Sequence, residues 1–222
     1  MAGLKKIKAF IFDLDGVLTD TAEYHFLAWK RLAEEEGLPF TRQDNEKLRG
    51  VSRRASLELL LKGRRVPEQK MQELMERKNI YYREYIKNLS ENDLLPGSVE
   101  LLEKLKSKGY KLALASASRN APVVVERLGI ASHFDVLTHG GEVDRAKPYP
   151  DLFLYAAKKL GLGSKYCVVV EDARAGIDAA KAAGMATIGI GPPERVGTAD
   201  LYFPSVEDIN IEQVLTLLNN GP

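Results

Sequence analysis

The feature that most constrains this chain is a short, largely apolar run at residues 7–12 that leads directly into Asp13-Leu14-Asp15-Gly16. The run is rich in β-branched and aromatic residues, which is typical of a strand buried on both faces of a parallel sheet. Asp13 and Asp15 stand two positions apart, so we expect both to project into the crevice where open α/β sheets bind ligands. An ordinary Asp-Gly turn would explain Asp15 and Gly16 alone. Two neighbouring carboxylates need a cation, a shared proton or a reaction to offset their repulsion.

Composition excludes several classes of partner. The 222 residues are 45% hydrophobic and carry 32 basic and 31 acidic side chains, a formal net charge of +1. No dominant field therefore attracts nucleic acid or an anionic membrane, and we expect neither as a partner. The single cysteine, Cys167, cannot form an internal disulfide and is expected to be a small buried hydrophobe. The basic start is not followed by a signal-length apolar run, and no segment approaches the ~20 apolar residues of a membrane span, so we expect a cytoplasmic protein.

Residues 19–89 contain no convincing strand and have helical spacing of apolar residues. Helices are predicted over 22–36, 42–49, 53–61 and 67–87. Asp20 is the expected N-cap of the first, with Glu23 completing a capping box and Gly37 ending the helix. Trp29 is expected in the apolar core of this block. The pattern predicts a helical bundle.

From about residue 95 strands and helices alternate, which is typical of a parallel sheet covered on both faces. The predicted strands are 111–115, 134–137, 167–170 and 186–190, and the predicted helices are 99–108, 121–128, 151–160, 173–183 and 211–218. The fold class is therefore α/β, a Rossmann-like doubly wound parallel sheet. Residues 1–18 and 90–222 are expected to form this core domain. Residues 19–89 are expected to form an inserted all-helical cap domain beside the site, where it could act as a lid.

Four polar features follow predicted strands, and together they describe a phosphoryl-transfer site. They are Asp13 and Asp15, the hydroxyl-rich segment 115–120, Lys147-Pro148, and Glu171-Asp172. Taken singly, serines cap helices, lysines are usually solvated, and acidic pairs favour helix N-termini. Their joint occurrence at one sheet edge favours chemistry instead.

Each feature has a plausible part in that chemistry. Asp13 and Asp172 offer hard oxygen ligands for Mg²⁺. A carboxylate can attack phosphorus, and Lys147 would reduce its repulsion from a phosphate dianion. Asp15 is then free to move a proton at the bridging oxygen.

These features, in this order, resemble the haloacid dehalogenase superfamily, in its phosphotransferase branch with a helical cap. Segments 19–30, 49–53 and 115–120 are similar to those of the β-phosphoglucomutases. That resemblance implies interconversion of β-glucose 1-phosphate and glucose 6-phosphate through an aspartyl-phosphate enzyme and β-glucose 1,6-bisphosphate. It implies Mg²⁺ as the cofactor and sugar phosphates as the substrates.

The resemblance also implies a role for each matching position. Asp13 matches the nucleophile and a metal ligand, and Asp15 matches the general acid/base, whose backbone carbonyl also meets the metal. Asp172 matches a metal ligand and Glu171 a further ligand or a support for one, while Ser116 and Lys147 match groups that hold the transferring phosphate. Near the hinge, Thr21 and His25 match residues that act with Asp15. Arg53, helped by Ser118 and Asn120, matches the grip on the distal phosphate. The remaining substrate-binding matches are Arg49, Gly50, Ser56, Lys78 and Arg119.

Two positions depart from the family pattern, because Arg49 and Arg119 stand where lysine is expected. Arginine keeps the charge and changes the geometry at a phosphate. The alternative function is a Mg²⁺-dependent phosphatase acting on small sugar phosphates. A non-catalytic sugar-phosphate binder is a third hypothesis, disfavoured by the intact set of Asp13, Asp15, Lys147 and Asp172. A lid that needs room to move favours a monomer.

Overall fold

The computed structural model of the protein describes residues 7–219, so the ends of the predicted core ranges, 1–6 and 220–222, lie outside the described residues. Six strands form one sheet in the order β3-β2-β1-β4-β5-β6, and every neighbouring pair is parallel. This is the doubly wound order predicted from the alternating sequence pattern. The strands are β1 (Ala9–Phe12), β2 (Lys111–Ser116), β3 (Val136–His139), β4 (Cys167–Glu171), β5 (Ala186–Ile190) and β6 (Leu201–Phe203).

Ten α-helices and several short 3-10 turns complete the part of the chain that is described. Four helices lie between β1 and β2 as an insertion: α1 (Ala22–Glu35), α2 (Arg42–Glu46), α3 (Arg53–Leu61) and α4 (Glu68–Tyr85). The others belong to the sheet region: α5 (Ser98–Ser107), α6 (Ala121–Arg127), α7 (Asp151–Lys159), α8 (Arg174–Ala182), α9 (Pro193–Val196) and α10 (Ile211–Asn219). Within residues 7–219, none of the helices combines the length and the apolarity that crossing a bilayer requires.

The central strand, β1, is buried on both faces. Phe10 and Phe12 belong to one apolar cluster with residues of α5, α6 and α10, whereas Ala9 and Ile11 belong to a second cluster with residues of α7 and α8. All four side chains are at most 1% exposed. The alternation follows from the two-residue period of a strand. Cys167 lies in the second cluster, so its prediction as a buried hydrophobe is confirmed.

The helical insertion has an apolar core of its own. Trp29 and Leu32 of α1 pack in one cluster with Leu57 of α3 and Leu74 of α4, which confirms the prediction for Trp29. The two chain crossings into the insertion lie side by side. The Thr19 hydroxyl donates to the carbonyl of Asp93 at 2.7 Å, and the Leu95 amide donates to the carbonyl of Leu18 at 2.9 Å. Both connections between the insertion and the sheet region therefore lie together.

Several local predictions were wrong. The N-cap of α1 is Thr21, which makes no side-chain capping bond, and Asp20 precedes it. With Thr21 as the N-cap, Glu23 is no longer at the N3 position of a capping box, and its carboxylate oxygens accept hydrogen bonds from Arg42 of α2 at 2.7 and 2.8 Å. Strand β3 begins two residues later than predicted, since Phe134 lies before it and packs edge-on against Phe12 with ring centroids 6.4 Å apart.

Strand β6 and the four-residue helix α9 were not predicted. Both are too short to give a periodic signal. The first and fourth predicted helices of the insertion were also slightly too long, since α1 ends at Glu35 and α4 runs from Glu68 to Tyr85. The second predicted helix of the insertion, 42–49, exceeded the observed helix by three residues, because α2 ends at Glu46.

Candidate active site

The site forms where the direction of strand order reverses, between β1 and β4. Asp13 follows β1, and its backbone amide donates to the carbonyl of Val170 in β4 at 2.9 Å. Glu171 ends β4, and Asp172 follows it. One carboxylate oxygen from each of Asp13, Glu171 and Asp172 lies within 4.8 Å of the others, and all three residues are buried. Open α/β sheets bind ligands at this switch point.

Lys147 holds two of these carboxylates together. Its ammonium donates to Asp13 Oδ1 at 2.6 Å and to Glu171 Oε2 at 2.8 Å, with none of its side chain exposed. Burial alone would lower the pKa of Lys147, but the charges of Asp13 and Glu171 outweigh it and raise that pKa. Lys147 is therefore a fixed positive charge beside Asp13.

The Asp13 carboxylate and Gly16 determine the conformation of the loop after β1. The Asp15 amide donates to Asp13 Oδ2 at 3.0 Å, which orients the second oxygen of Asp13. Gly16 has φ +82°, and a Cβ there would collide with the Asp172 carboxylate, so a glycine is required. Burial, reinforced by the charges of Asp13 and Asp172, raises the pKa of Asp15 to about 7.

The acidic cluster fits a metal ion. Carboxylate oxygens are the ligands that hard divalent cations prefer. Burial, reinforced by the charge of Asp13, raises the pKa of Glu171 to about 8 and that of Asp172 to about 6. Among the residues described, the side chains grouped for a metal are Asp13, Glu171 and Asp172, without that of Asp15.

Gly176 of α8 gives room to the Glu171 carboxylate, since a Cβ at Gly176 would overlap its carboxyl group. Glu171 cannot easily move, because Lys147 and the Ala173 amide hold its two oxygens. We expect Gly176→Ala to destabilise the fold by about 1–3 kcal/mol, against a helix-propensity gain of about 1 kcal/mol. Urea unfolding measures this. The control is Gly163→Ala, whose Cβ would meet its nearest neighbour at 3.7 Å; equal stability of the two variants would contradict the overlap.

The loop between β2 and α6 presents hydroxyl and amide groups. Ser116 is fully buried at the end of β2, and its hydroxyl accepts from the Ser118 amide at 3.1 Å. The Ser118 hydroxyl accepts from the Asn120 amide at 3.3 Å. These bonds fix a compact loop in which Ser118 and Arg119 face the same cavity as Asp13.

The insertion brings His25 of α1 and Lys78 of α4 to Asp15. His25 Nδ1 lies 2.6 Å from Lys78 Nζ, and His25 Nε2 lies 3.9 Å from Asp15 Oδ1. Burial, together with the charge of Lys78, lowers the pKa of His25 well below its usual range. Burial also lowers the pKa of Lys78 well below its usual range. Tyr82 stacks on the imidazole with ring centroids 4.0 Å apart.

A second contact joins the insertion to the sheet region through an asparagine. Arg53 Nη2 donates to Asn79 Oδ1 at 2.9 Å, and Asn120 Nδ2 donates to the same oxygen at 3.0 Å. Burial lowers the pKa of Arg53; Glu76 opposes that shift, and the charge of Arg119 adds to it. Arg53 and Arg119 both line the cavity. Two neighbouring arginines in one cavity favour an anion between them.

A third contact comes from the loop between α2 and α3. Arg49 Nη1 donates to Asp172 Oδ2 at 3.1 Å, and its Nε donates to Glu46 Oε2 at 2.9 Å. Gly50, with φ +71°, lets this loop approach the chain after β4, because a Cβ there would lie 3.1 Å from the Cβ of Ala173.

One cavity of about 440 Å³ lies between the insertion and the sheet edge. Most residues singled out in the sequence line it: Asp13, Asp15, His25, Arg49, Gly50, Arg53, Ser56, Lys78, Ser118, Arg119 and Asp172. The others are not among its lining residues: Ser116, Lys147 and Glu171 are buried in the sheet edge, Thr21 is buried at the start of α1, and Asn120 contacts Asn79.

Sequence reasoning missed Asn79 and Tyr82. A signal was present, because Lys78 and Tyr82 are four residues apart on α4 and therefore share a helix face. Asn79, next to Lys78, places a short amide in the middle of a helix, where polar side chains of this type are uncommon without a partner.

Comparison with known proteins agrees with this geometry. The family model described as haloacid dehalogenase-like hydrolase matches residues 7–184. A β-phosphoglucomutase of Bacillus subtilis (strain 168) is 46% identical over 210 residues, 93% of each chain. A crystal structure of β-phosphoglucomutase from Clostridium difficile superposes with a TM-score of 0.92 at 40% identity, covering 96% of this chain and 97% of that one.

A relative with a different activity is also similar over the full length. The phosphorylated carbohydrates phosphatase of Thermotoga maritima is 35% identical over 218 residues, 96% of this chain and 98% of that protein. The same scaffold therefore occurs in proteins named for transfer between sugar positions and in a protein named for hydrolysis.

Proposed function

The chain belongs to the haloacid dehalogenase-like hydrolase family, and we propose that it is a phosphoryl-transfer mutase that interconverts β-glucose 1-phosphate and glucose 6-phosphate. The observation that carries the proposal is the pair Arg53 and Arg119 in the same cavity as Asp13. A bisphosphate intermediate has two anionic ends, one for Asp13 to exchange and one for the arginines to hold. The 46% identity to a β-phosphoglucomutase over 93% of the chain supports the same substrate.

Asp13 is the proposed nucleophile. Its Oδ1 is held by Lys147 and its Oδ2 by the Asp15 amide, so the carboxylate is oriented before substrate arrives. Asp13 attacks phosphorus and forms an aspartyl phosphate, while the sugar oxygen leaves with a proton from Asp15. In the reverse sense, Asp15 accepts the proton of the sugar hydroxyl that attacks the aspartyl phosphate. Ser116 and Lys147 hold the transferring phosphate.

Mg²⁺ is the proposed cofactor, bound by Asp13, Asp172 and the Asp15 backbone carbonyl, with Glu171 as a further ligand or a support. The ion, when bound, neutralises charge on the transferring phosphate. The carboxyl chemistry of Asp13, Glu171 and Asp172 supports this assignment.

We propose that residues 19–89 act as a cap that closes only on a sugar phosphate. Closure brings His25 and Lys78 to Asp15 and joins Arg53 to the core through Asn79 and Asn120. A closed cap excludes water, so Asp13 hands its phosphoryl group to sugar. Thr21 lies at the hinge, and Gly50, Ser56 and Lys78 bound the sugar space. One chain supplies both sides of the cavity, which supports action as a monomer.

The alternative function is a Mg²⁺-dependent phosphatase for small sugar phosphates. The specific observation that favours it is the 35% identity to a phosphorylated carbohydrates phosphatase over 96% of the chain. The two functions share Asp13, Asp15, Lys147 and Asp172 and differ in whether water reaches the aspartyl phosphate.

The test measures two products at once. Purified protein with Mg²⁺, β-glucose 1-phosphate and a trace of β-glucose 1,6-bisphosphate is expected to form glucose 6-phosphate at least roughly tenfold faster than inorganic phosphate, because cap closure selects against water. The α anomer is the substrate control. Phosphate release without glucose 6-phosphate would establish the phosphatase in place of the mutase.

A further inference from the structure

The hydrogen-bonded countercharge of the Asp172 carboxylate comes from the insertion, while Arg195 and Lys147 of the sheet region act on it through their charge alone. The hydrogen bonds of Lys147 reach Asp13 and Glu171, and in residues 7–219 none of them reaches Asp172. The cation bonded to the Asp172 carboxylate is Arg49, at 3.1 Å, on the loop before α3. Arg195 of α9 donates instead to the backbone carbonyl of Asp172, at 3.1 Å. The Asp172 side chain is 4% exposed, so little solvent screens its contact with Arg49.

Arg49 is placed so that its contact requires the insertion to lie against the sheet. Its guanidinium bridges Glu46 on its own side and Asp172 on the other, at 2.9 and 3.1 Å. Gly50 packs next to it on Ala173, where only a glycine at φ +71° allows the approach. Opening the cap would therefore break the Arg49–Asp172 pair.

We propose that Arg49 is a positioning residue that makes cap closure and cation binding at Asp172 compete with each other. The inference rests on the proposed function, which makes Asp172 a metal ligand. A guanidinium on Asp172 Oδ2 withdraws negative charge from the carboxylate and repels a second cation beside it. By linkage, a divalent cation on Asp172 must weaken the Arg49 contact to the same degree.

The competition has a direction in the reaction. The cation loosens the cap of the free enzyme and admits substrate. A substrate phosphate then brings the negative charge that allows Arg49 and the cation to remain together near Asp172, so the cap closes on a loaded site. Arginine suits this role better than the lysine expected here, because its planar fork reaches Glu46 and Asp172 at the same time, whereas an ammonium is a point charge.

The test is isothermal titration calorimetry of the protein with Mg²⁺ alone. Arg49→Gln is expected to bind Mg²⁺ at least about fivefold more tightly than the unaltered chain. A factor of about five is the lower end of the usual coupling between two sites. Arg49→Lys, which keeps the charge, is expected to change affinity less. The matched control is Arg42→Gln, which removes an insertion ion pair to Glu23 outside the cavity. Small-angle scattering is the second measurement, with Mg²⁺ expanding the unaltered chain and leaving Arg49→Gln unchanged.

The possible outcomes distinguish failure of this inference from failure of the proposed function. Equal or weaker Mg²⁺ binding by Arg49→Gln would overturn the competition and leave the mutase proposal intact. Binding that persists unchanged in Asp172→Asn would place the cation elsewhere and overturn the inference as well. Absence of Mg²⁺ binding by the unaltered chain would overturn both the inference and the metal-dependent function.

Discussion

Asp13→Asn is expected to lose mutase activity by at least about 10⁴-fold, the scale seen when a covalent nucleophile is removed from other enzymes. An amide is a poor nucleophile toward phosphorus and forms no stable phosphoryl adduct. The change is almost isosteric, so the fold should survive even though the amide faces two donors, Lys147 and the Asp15 amide. The measurement is glucose 6-phosphate formation, with intact mass of the protein reporting phosphorylation by a small acyl phosphate.

Two variants sharpen this result. Asp178→Asn makes the same chemical change on the exposed face of α8 and should behave as the unaltered chain. Asp15→Asn should lose the mutase reaction yet still phosphorylate Asp13 from a donor whose leaving group needs no proton. Turnover by Asp13→Asn above a metal-only background would contradict the nucleophile assignment.

Arg53→Ala is expected to lower the mutase rate by about 10²-fold, while hydrolysis of the aspartyl phosphate changes by less than about tenfold. Arg53 belongs to the insertion, and its bond to Asn79, which also binds Asn120, ties the insertion to the core. Losing it removes binding energy at the non-reacting phosphate, and the mutase step depends on that energy to close the cap. Hydrolysis of the Asp13 phosphate involves no sugar, so its rate should be nearly the same in Arg53→Ala as in the unaltered chain.

The measurement is the ratio of glucose 6-phosphate formation to phosphate release in one reaction mixture. Arg42→Ala is the matched control, since it removes an arginine of the insertion that pairs with Glu23 and does not line the cavity. Arg53→Lys, which keeps the charge and loses the planar donors, should lie between. Equal losses of transfer and hydrolysis would count against cap gating.

The sheet and the edge that bears the site residues could be predicted from the sequence, because both depend on local patterns. A strand buried on both faces gives a continuous apolar run in the sequence, and most of the polar features directly follow such a run, as Asp13 follows Phe12 and Asp172 follows β4. Lys147 is the exception, because it lies in the loop between β3 and α7. The strand order then brings them together with no further information, since β1 and β4 are neighbours.

What the sequence could not supply were contacts between distant segments. Asn79 acquires its role from Arg53, 26 positions away, and from Asn120, 41 positions away. Glu23 has the spacing of a capping residue, and its carboxylate instead accepts hydrogen bonds from Arg42, 19 positions away. Arg49 drew notice only as a departure from lysine, and its contact with Asp172 spans 123 positions.

The central place of β1 has a consequence for how the chain is made. Ala9 pairs with Lys111 on one side and with Cys167 on the other, so the strand synthesised early waits for partners that leave the ribosome much later. Until then its apolar side chains and the Asp13 carboxylate have no sheet to join. The helical insertion, whose buried core cluster lies wholly within residues 29–74, can form in the interval. Nascent chains that pause before β4 would leave one edge of β1 unpaired, and unpaired strand edges favour aggregation.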